Sequence, residues 1–409
     1  MRTSLDGSMV AGLARRLSEV DRGRAARYPG DAGGRQPVHT CYVPADQVTG
    51  DVAGEWGAAA LAALAEHAPR PTVFTELFGL PAELAEVVYD KVVAKLRREP
   101  VEDLRIDFED GYGSRPDADE DADAVRCAEL VAGWTSPPPW VGLRFKSFDT
   151  SALFMRGVRT LDLFVTALGS APVLTLPKVT DVAQVSALVE LLELLEERLE
   201  LATGALRFEI QIETTQSIVD GEGRLAIPRF VAAGRGRVSG LHFGTYDYTA
   251  ACGLAAAEQH LAHAACDFAR HVMQVSAAGT GVRLSDGSTN VLPVGDAVHE
   301  AWRTHFGLAL RSLAHGFYQG WDLHPAQLVT RYAANFGYYR RNAEADARRL
   351  RAYVDKASSG VLDEPATAQA LAMSMRRAVD CGALDAADVS RLCGLSEVEL
   401  AALARRASP

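Results

Sequence analysis

VLTLPKVTDVAQVSALVELLELLEERLELATGALRFEIQIE, residues 173–213, decides the fold. An apolar run ending in Pro-Lys (173–179) gives way to a helical pattern (181–203), and a second β-prone run (207–213) follows. Strand, helix and strand in that order make a parallel crossover unit, whose sheet is covered by helices. The pattern recurs outward from this stretch. Val38–Val43, ended by Pro44, opens the series. LRIDF (104–108), WVGLRF (140–145), LDLFVTAL (161–168), VSGLHFG (238–244) and GWDLHP (320–325) read as further strands. Helical patterns fill 256–278 and 297–315. VRLSDGSTNVLPVG (282–295) holds Asp-Gly between β-prone stretches, which predicts a hairpin near the seventh strand. Short apolar runs without strict alternation fit staves buried on both faces. The expected class is α/β, a (β/α)₈ TIM barrel.

The rest of the chain is read as additions to that barrel. Residues 1–36 form an N-terminal helical extension, broken by PGDAGG. The barrel occupies 37–335 and carries a helical insertion at about 50–98, too long for one crossover helix. Residues 336–409 form a C-terminal helical region with a Ser-Ser-Gly break at 358–360. The 409 residues are 48% apolar, enough for a large core, and the net charge is −11. Such a charge repels nucleic acid and anionic membranes, so neither is an expected partner. No apolar run reaches membrane-spanning length and the N-terminus lacks a secretory apolar segment, which predicts a cytoplasmic protein. The six cysteines form no CxxC pair and read as scattered reduced thiols.

Catalytic groups of a barrel gather at the C-terminal ends of its strands. Here the strands run into Glu109-Asp110, Arg144, Lys178, Glu213, Asp247 and His324. Glu213 and Asp247 stand 34 positions apart, one βα unit plus extra loop, so adjacent strands could aim both at one mouth. Two carboxylates suit Mg²⁺, which takes oxygen ligands and leaves positions for the oxygens of an α-keto acid. Mn²⁺ would serve the same ligands. Arg144 suits a carboxylate or enolate oxygen. Lys178 could instead form a Schiff base.

These residues resemble the citrate lyase beta subunit/malyl-CoA lyase/HpcH-HpaI aldolase superfamily, and in part malate synthase. The resemblance rests on Tyr42-Val-Pro44, Asp107-Phe-Glu109-Asp110, Leu143-Arg144-Phe145 and Leu176-Pro-Lys178-Val179. It continues through Gln211-Ile-Glu213-Thr214, Gly244-Thr-Tyr-Asp247-Tyr248 and Gly320-Trp-Asp-Leu-His324-Pro-Ala-Gln327. The order of these motifs along about residues 38–370 carries more weight than any one of them. It implies a metal-dependent carbon–carbon lyase with Glu213 and Asp247 as ligands, and Arg144, Gly244 and Thr245 against substrate. A β-hydroxy acid or its CoA thioester would be cleaved to a small keto acid, or formed from one as malate synthase does with glyoxylate. Gly360-Val-Leu-Asp363-Glu-Pro365 resembles a C-terminal segment whose Asp acts as acid or base, often in a neighbour's site. Asp363 would then be catalytic and the protein a homo-oligomer; as a helix N-cap it would be structural.

Asp107, Glu109 and Asp110 are expected to orient ligands and waters around the ion, and His324 to support the site from its strand end. His242 reads as a wall residue. His260, His263 and His271 lack the acidic partners of a zinc site. Three readings follow: the metal-dependent lyase, a Schiff-base aldolase using Lys178, and a non-catalytic barrel subunit.

Overall fold

The computed structural model describes residues 4–356 and 364–405. Helix α1 (Gly7–Arg27) precedes β1 (His39–Pro44), and α2 (Val52–His67), α3 (Pro71–Phe78) and α4 (Ala85–Arg98) separate β1 from β2 (Asp103–Asp107). Then come α5 (Asp117–Gly133), β3 (Trp140–Arg144), α6 (Ser151–Leu168), β4 (Val173–Leu176), α7 (Val182–Arg198) and β5 (Arg207–Ile212). Two short helices, α8 (Thr215–Ile218) and α9 (Ile227–Ala233), lead to β6 (Val238–Phe243), and α10 (Thr245–Ala251) and α11 (Ala264–Ala277) to β7 (Arg283–Ser285). The barrel ends with α12 (Val298–Ala314), β8 (Gly320–Asp322) and α13 (Gln327–Val354). Helices α14 (Pro365–Cys381), α15 (Ala386–Cys393) and α16 (Glu397–Arg405) follow.

All eight strands are parallel, in the order β7-β6-β5-β4-β3-β2-β1-β8. One bridge, Ser285 to Gln319, links the two ends, so the sheet is an almost closed barrel ringed by helices. The expected (β/α)₈ class is therefore the observed one. No described helix is long and apolar enough to cross a membrane.

The strands alternate more strictly than expected. In β2 and β5, Leu104, Ile106, Phe208, Ile210 and Ile212 are fully buried against the helices. Each contributes about 1.5–3 kcal/mol by leaving water. Their neighbours point the other way: Arg105 of β2 donates to Glu209 of β5 at 2.8 Å. Those strands are not adjacent in the sheet, so the ion pair crosses the lumen. The interior is thus charged rather than aliphatic, and period-2 alternation follows from an apolar helix layer outside and a polar lumen inside.

Two strand expectations fail. LDLFVTAL (161–168) is the second half of α6, not a strand. The helix starts at Thr150, whose side chain caps Leu153 N, and ends at Gly169 in the left-handed conformation. Gly157, Thr160, Leu161, Phe164 and Val165 form its buried stripe at helical spacing. A short apolar run cannot separate these alternatives; the cap eleven positions upstream does. The hairpin near 282–295 is also absent: β7 is three residues long and pairs in parallel with β6. Its Asp-Gly serves packing instead. Asp286 accepts from Arg270 (2.7 Å) and Ser312 (2.6 Å), and a Cβ on Gly287 would strike Thr245 Oγ1 and lie 2.8 Å from Phe243 O.

Region 50–98 forms three helices in the β1–β2 crossover, with α2 and α4 packed on α13 and α3 on α12. Helix α13 runs unbroken through residue 336. All six cysteines are free, five buried and Cys252 exposed.

Candidate active site

Asp107, the last residue of β2, grips Arg144, the last of β3. Nε donates to Oδ1 at 2.7 Å and Nη2 to Oδ2 at 2.6 Å. Asp107 also accepts the backbone N–H groups of Glu109 (2.9 Å) and Gly111 (2.8 Å). With its lone pairs so engaged, Asp107 fixes the arginine rather than facing an ion. The guanidinium lies 4.9 Å over the Tyr42 ring and 3.3 Å from Glu109 Oε2. Both cation–π and bidentate contacts need the planar fork of arginine.

Glu213 follows β5 and is buried. Its Oε1 accepts from the backbone N–H of Lys178 at 2.7 Å. With the Gln211 amide oriented to satisfy both ends, Gln211 donates to Glu213 Oε1 (3.2 Å) and accepts from Arg144 Nη1 (3.2 Å). Gln211 therefore couples the arginine to the carboxyl. Burial pushes Glu213 up to about 8, against the lowering pull of Lys178. Gly244 makes room for it, since a Cβ there would clash with Glu213 Cβ and lie 2.5 Å from Oε2.

Lys178 follows β4 in a left-handed conformation, φ 50°. Its ammonium donates to Glu109 Oε1 (2.6 Å) and Asp110 Oδ2 (2.7 Å), with Asp247 Oδ2 at 3.3 Å. Burial works to lower its pKa, but the carboxylates of Glu213 and Glu109 and the hydrogen bond to Asp110 outweigh that and raise it. Asp247, in the first turn of α10, is about half exposed and marks the solvent side of the cluster. Seven sequence-chosen residues thus meet: Asp107, Glu109, Asp110, Arg144, Lys178, Glu213 and Asp247.

The remaining choices fall differently. Thr245 is buried beside this cluster and its Oγ1 has no hydrogen-bond partner. His324 caps the chain entering α13: its Nδ1 accepts from Ala326 N at 3.2 Å, and burial lowers its pKa. Asp363 lies outside the described residues.

One family's sequence model, described as "Domain of unknown function (DUF6986)", matches residues 17–408. The chain belongs to the DUF6986 family. No curated protein matches it. Among solved structures, a citrate lyase from Burkholderia xenovorans LB400 is 18% identical, with 88% of this chain and 97% of that one covered and a TM-score of 0.56. A Haloferax volcanii malate synthase in a magnesium/glyoxylate complex is 14% identical, covering 91% and 98%, with a TM-score of 0.48. A citrate lyase beta subunit from M. tuberculosis, complexed with oxaloacetate and magnesium, is 18% identical, covering 74% and 98%, with a TM-score of 0.44. At 18% identity the likeness to the Burkholderia xenovorans citrate lyase is one of fold.

Below the mouth of this DUF6986 barrel the lumen holds a second charged layer. Arg105 Nη2 donates to Asp103 Oδ2 and Glu209 Oε2, both at 2.8 Å, and His242 Nε2 lies 3.2 Å from Glu209. Burial would raise Glu209, but Arg105 and His242 hold it at about 2. This layer supports Gln211 and Glu213 from beneath, with His242 as a wall residue.

A group of ligand-type side chains lies elsewhere: one ligand atom each of His39, Cys41 and Asp322 falls within 4.8 Å of the others, a spacing able to hold a metal. It faces the helix layer, because Asp322 also meets His305 of α12 (3.1 Å) and Arg331 of α13 (2.9 Å). Its atoms are already used. His39 Nδ1 pairs with Asp322 (2.9 Å), and its Nε2 accepts from Glu102 N (3.0 Å). An ion there would have to break these bonds. At the mouth, Glu213 Oε2 packs beside Gly244 and Asp247 faces solvent.

Sequence reading named neither Gln211 nor Tyr42 as part of the site. The signal for Gln211 was position: residues 209 and 211 share one face of β5, and 213 continues that spacing of two just past its end.

Proposed function

We propose that this protein is a Mg²⁺- or Mn²⁺-dependent carbon–carbon lyase acting on a β-hydroxy acid or its thioester, releasing or consuming a small α-keto acid. The carrying observation is that Lys178 lies between two acids, donating its backbone N–H to the buried Glu213 (2.7 Å) and holding its ammonium 3.3 Å from the solvent-facing Asp247, beside an arginine already oriented by Asp107. The donor set fits a hard cation: it is all oxygen, and Glu213, buried and pushed up to about 8, lacks sufficient positive charge nearby. When bound, the ion would polarise the keto acid's carbonyl and so favour enolate chemistry.

The chain's own residues supply the rest. Arg144, clamped by Asp107 and stacked on Tyr42, presents its remaining N–H groups to the substrate carboxylate with little loss of entropy. Gln211 holds Arg144 and Glu213 in one register. Lys178 neutralises Glu109, Asp110 and Asp247 and stays protonated. A protonated amine is no nucleophile, so this environment speaks against a Schiff base. Gly244 and Thr245 are assigned to the substrate edge on motif resemblance. Proton transfer is assigned to Asp363 on motif resemblance, with a neighbouring copy as the source of that residue.

The test is release of pyruvate, glyoxylate or oxaloacetate from a panel of β-hydroxy acids and their CoA thioesters, with and without EDTA. Activity is expected to vanish with chelator and return with Mg²⁺. Turnover indifferent to EDTA, or unchanged in Glu213→Gln and Asp247→Asn, would refute the reading.

A further inference from the structure

Helix α1 buries none of its residues, yet Met9, Val10, Leu13, Leu17 and Val20 lie along it 45–72% exposed. Gly7, Gly12 and Gly23 each lower the intrinsic helicity of its 21 residues. Such a helix is stabilised mainly by covering its apolar face. Val10, Leu13, Leu17 and Val20 are spaced by three, four and three, the a/d seam of a two-stranded coiled coil. That frame puts Arg16 at a g position and Asp21 at the following e position.

We propose that α1 is a self-association element, pairing in parallel with α1 of a second copy of this chain. In a parallel pair each g residue faces the e residue five positions on in the other helix. Arg16 of each copy then meets Asp21 of the other, giving two opposite-charge contacts flanking the seam. An antiparallel pair sets g against g, and the g positions Met9, Arg16 and Gly23 offer Arg16 no acid. The seam stops after Val20, because Arg24 and Arg27 take the next a and d positions. Asp21 already lies 3.2 Å from Arg24 of its own helix, so pairing shares its carboxylate between two arginines. A membrane surface is the rival occupant, since α1 carries five arginines against Glu19 and Asp21.

Sedimentation velocity of the full chain tests this. Leu13→Glu/Leu17→Glu should lower the assembly order, with the barrel's melting temperature unchanged because α1 packs on no core. Arg16→Glu and Asp21→Arg should each raise the dissociation constant about 10-fold, the scale of two flanking ion pairs. An equimolar mixture of those two variants should associate as tightly as the parent or tighter, since an acid then faces a base at both contacts. The proposal is overturned if Leu13→Glu/Leu17→Glu sediments like the parent, or if the mixture is no tighter than either variant alone. Binding to phosphatidylserine vesicles by a chain that is monomeric without them would also overturn it.

Discussion

Replacing Glu213 with glutamine in the chelated protein should stabilise it at neutral and alkaline pH while removing its response to metal. Glutamine keeps the shape and an oxygen for the Lys178 N–H, but removes the buried charge. The wild-type carboxyl rises from 4.5 to about 8 on folding, because burial disfavours its anion. An acid raised on folding contributes stability that is complete below about pH 4.5 and is lost as pH climbs through 8. The whole excursion corresponds to about 5 kcal/mol, and the part between pH 5 and 9 to about 4 kcal/mol. Urea unfolding in EDTA across that range should therefore show the wild type losing about 4 kcal/mol relative to Glu213→Gln. Adding Mg²⁺ should restore the wild type at pH 8, since binding to the native state alone stabilises it, and leave the variant unmoved. Parallel pH profiles in EDTA would refute the claim that Glu213 is a buried acid awaiting a cation. A Mg²⁺ response surviving in the variant would refute its role as ligand.

Other consequences follow from the same contacts. Arg144→Lys loses the bidentate grip on Asp107 and the stacking on Tyr42; kcat/KM should fall about 100-fold or more with the fold intact by circular dichroism. Gly244→Ala drives a methyl against Glu213, and calorimetric Mg²⁺ affinity should drop at least about 10-fold. Borohydride reduction in the presence of pyruvate should leave Lys178 unmodified by mass spectrometry; a pyruvyl adduct there would restore the Schiff-base reading. Gln211→Leu breaks the link between Arg144 and Glu213 and leaves buried polar partners unpaired, which should cost about 1–3 kcal/mol of stability, read by urea unfolding, and lower kcat more than it raises KM.

The barrel was legible because its repeat is local. Apolar runs ending in charge, separated by helical patterns, identify parallel strands with functional ends without knowledge of contacts. LDLFVTAL failed because a run of eight residues, six of them apolar, satisfies both periods, and the deciding features, Thr150 and Gly169, lie outside the run. The Asp-Gly at 286–287 failed for the opposite reason. A local turn signal was overridden by distant demands, Arg270 and Ser312 on the aspartate and Thr245 against the glycine.

What the sequence determined alone is the fold class and which acids and bases end its strands, because strand and helix periods and the side of a strand end are properties of neighbouring residues. It also named seven groups that meet at one mouth. It could not divide labour among them. Only the folded barrel decides that Asp107 serves Arg144, that Lys178 is tied up by Glu109 and Asp110, that Gln211 bridges two strands, and that His324 caps a helix. Those roles depend on which side chains from different strands come within hydrogen-bonding reach across the lumen, and barrel closure sets those distances.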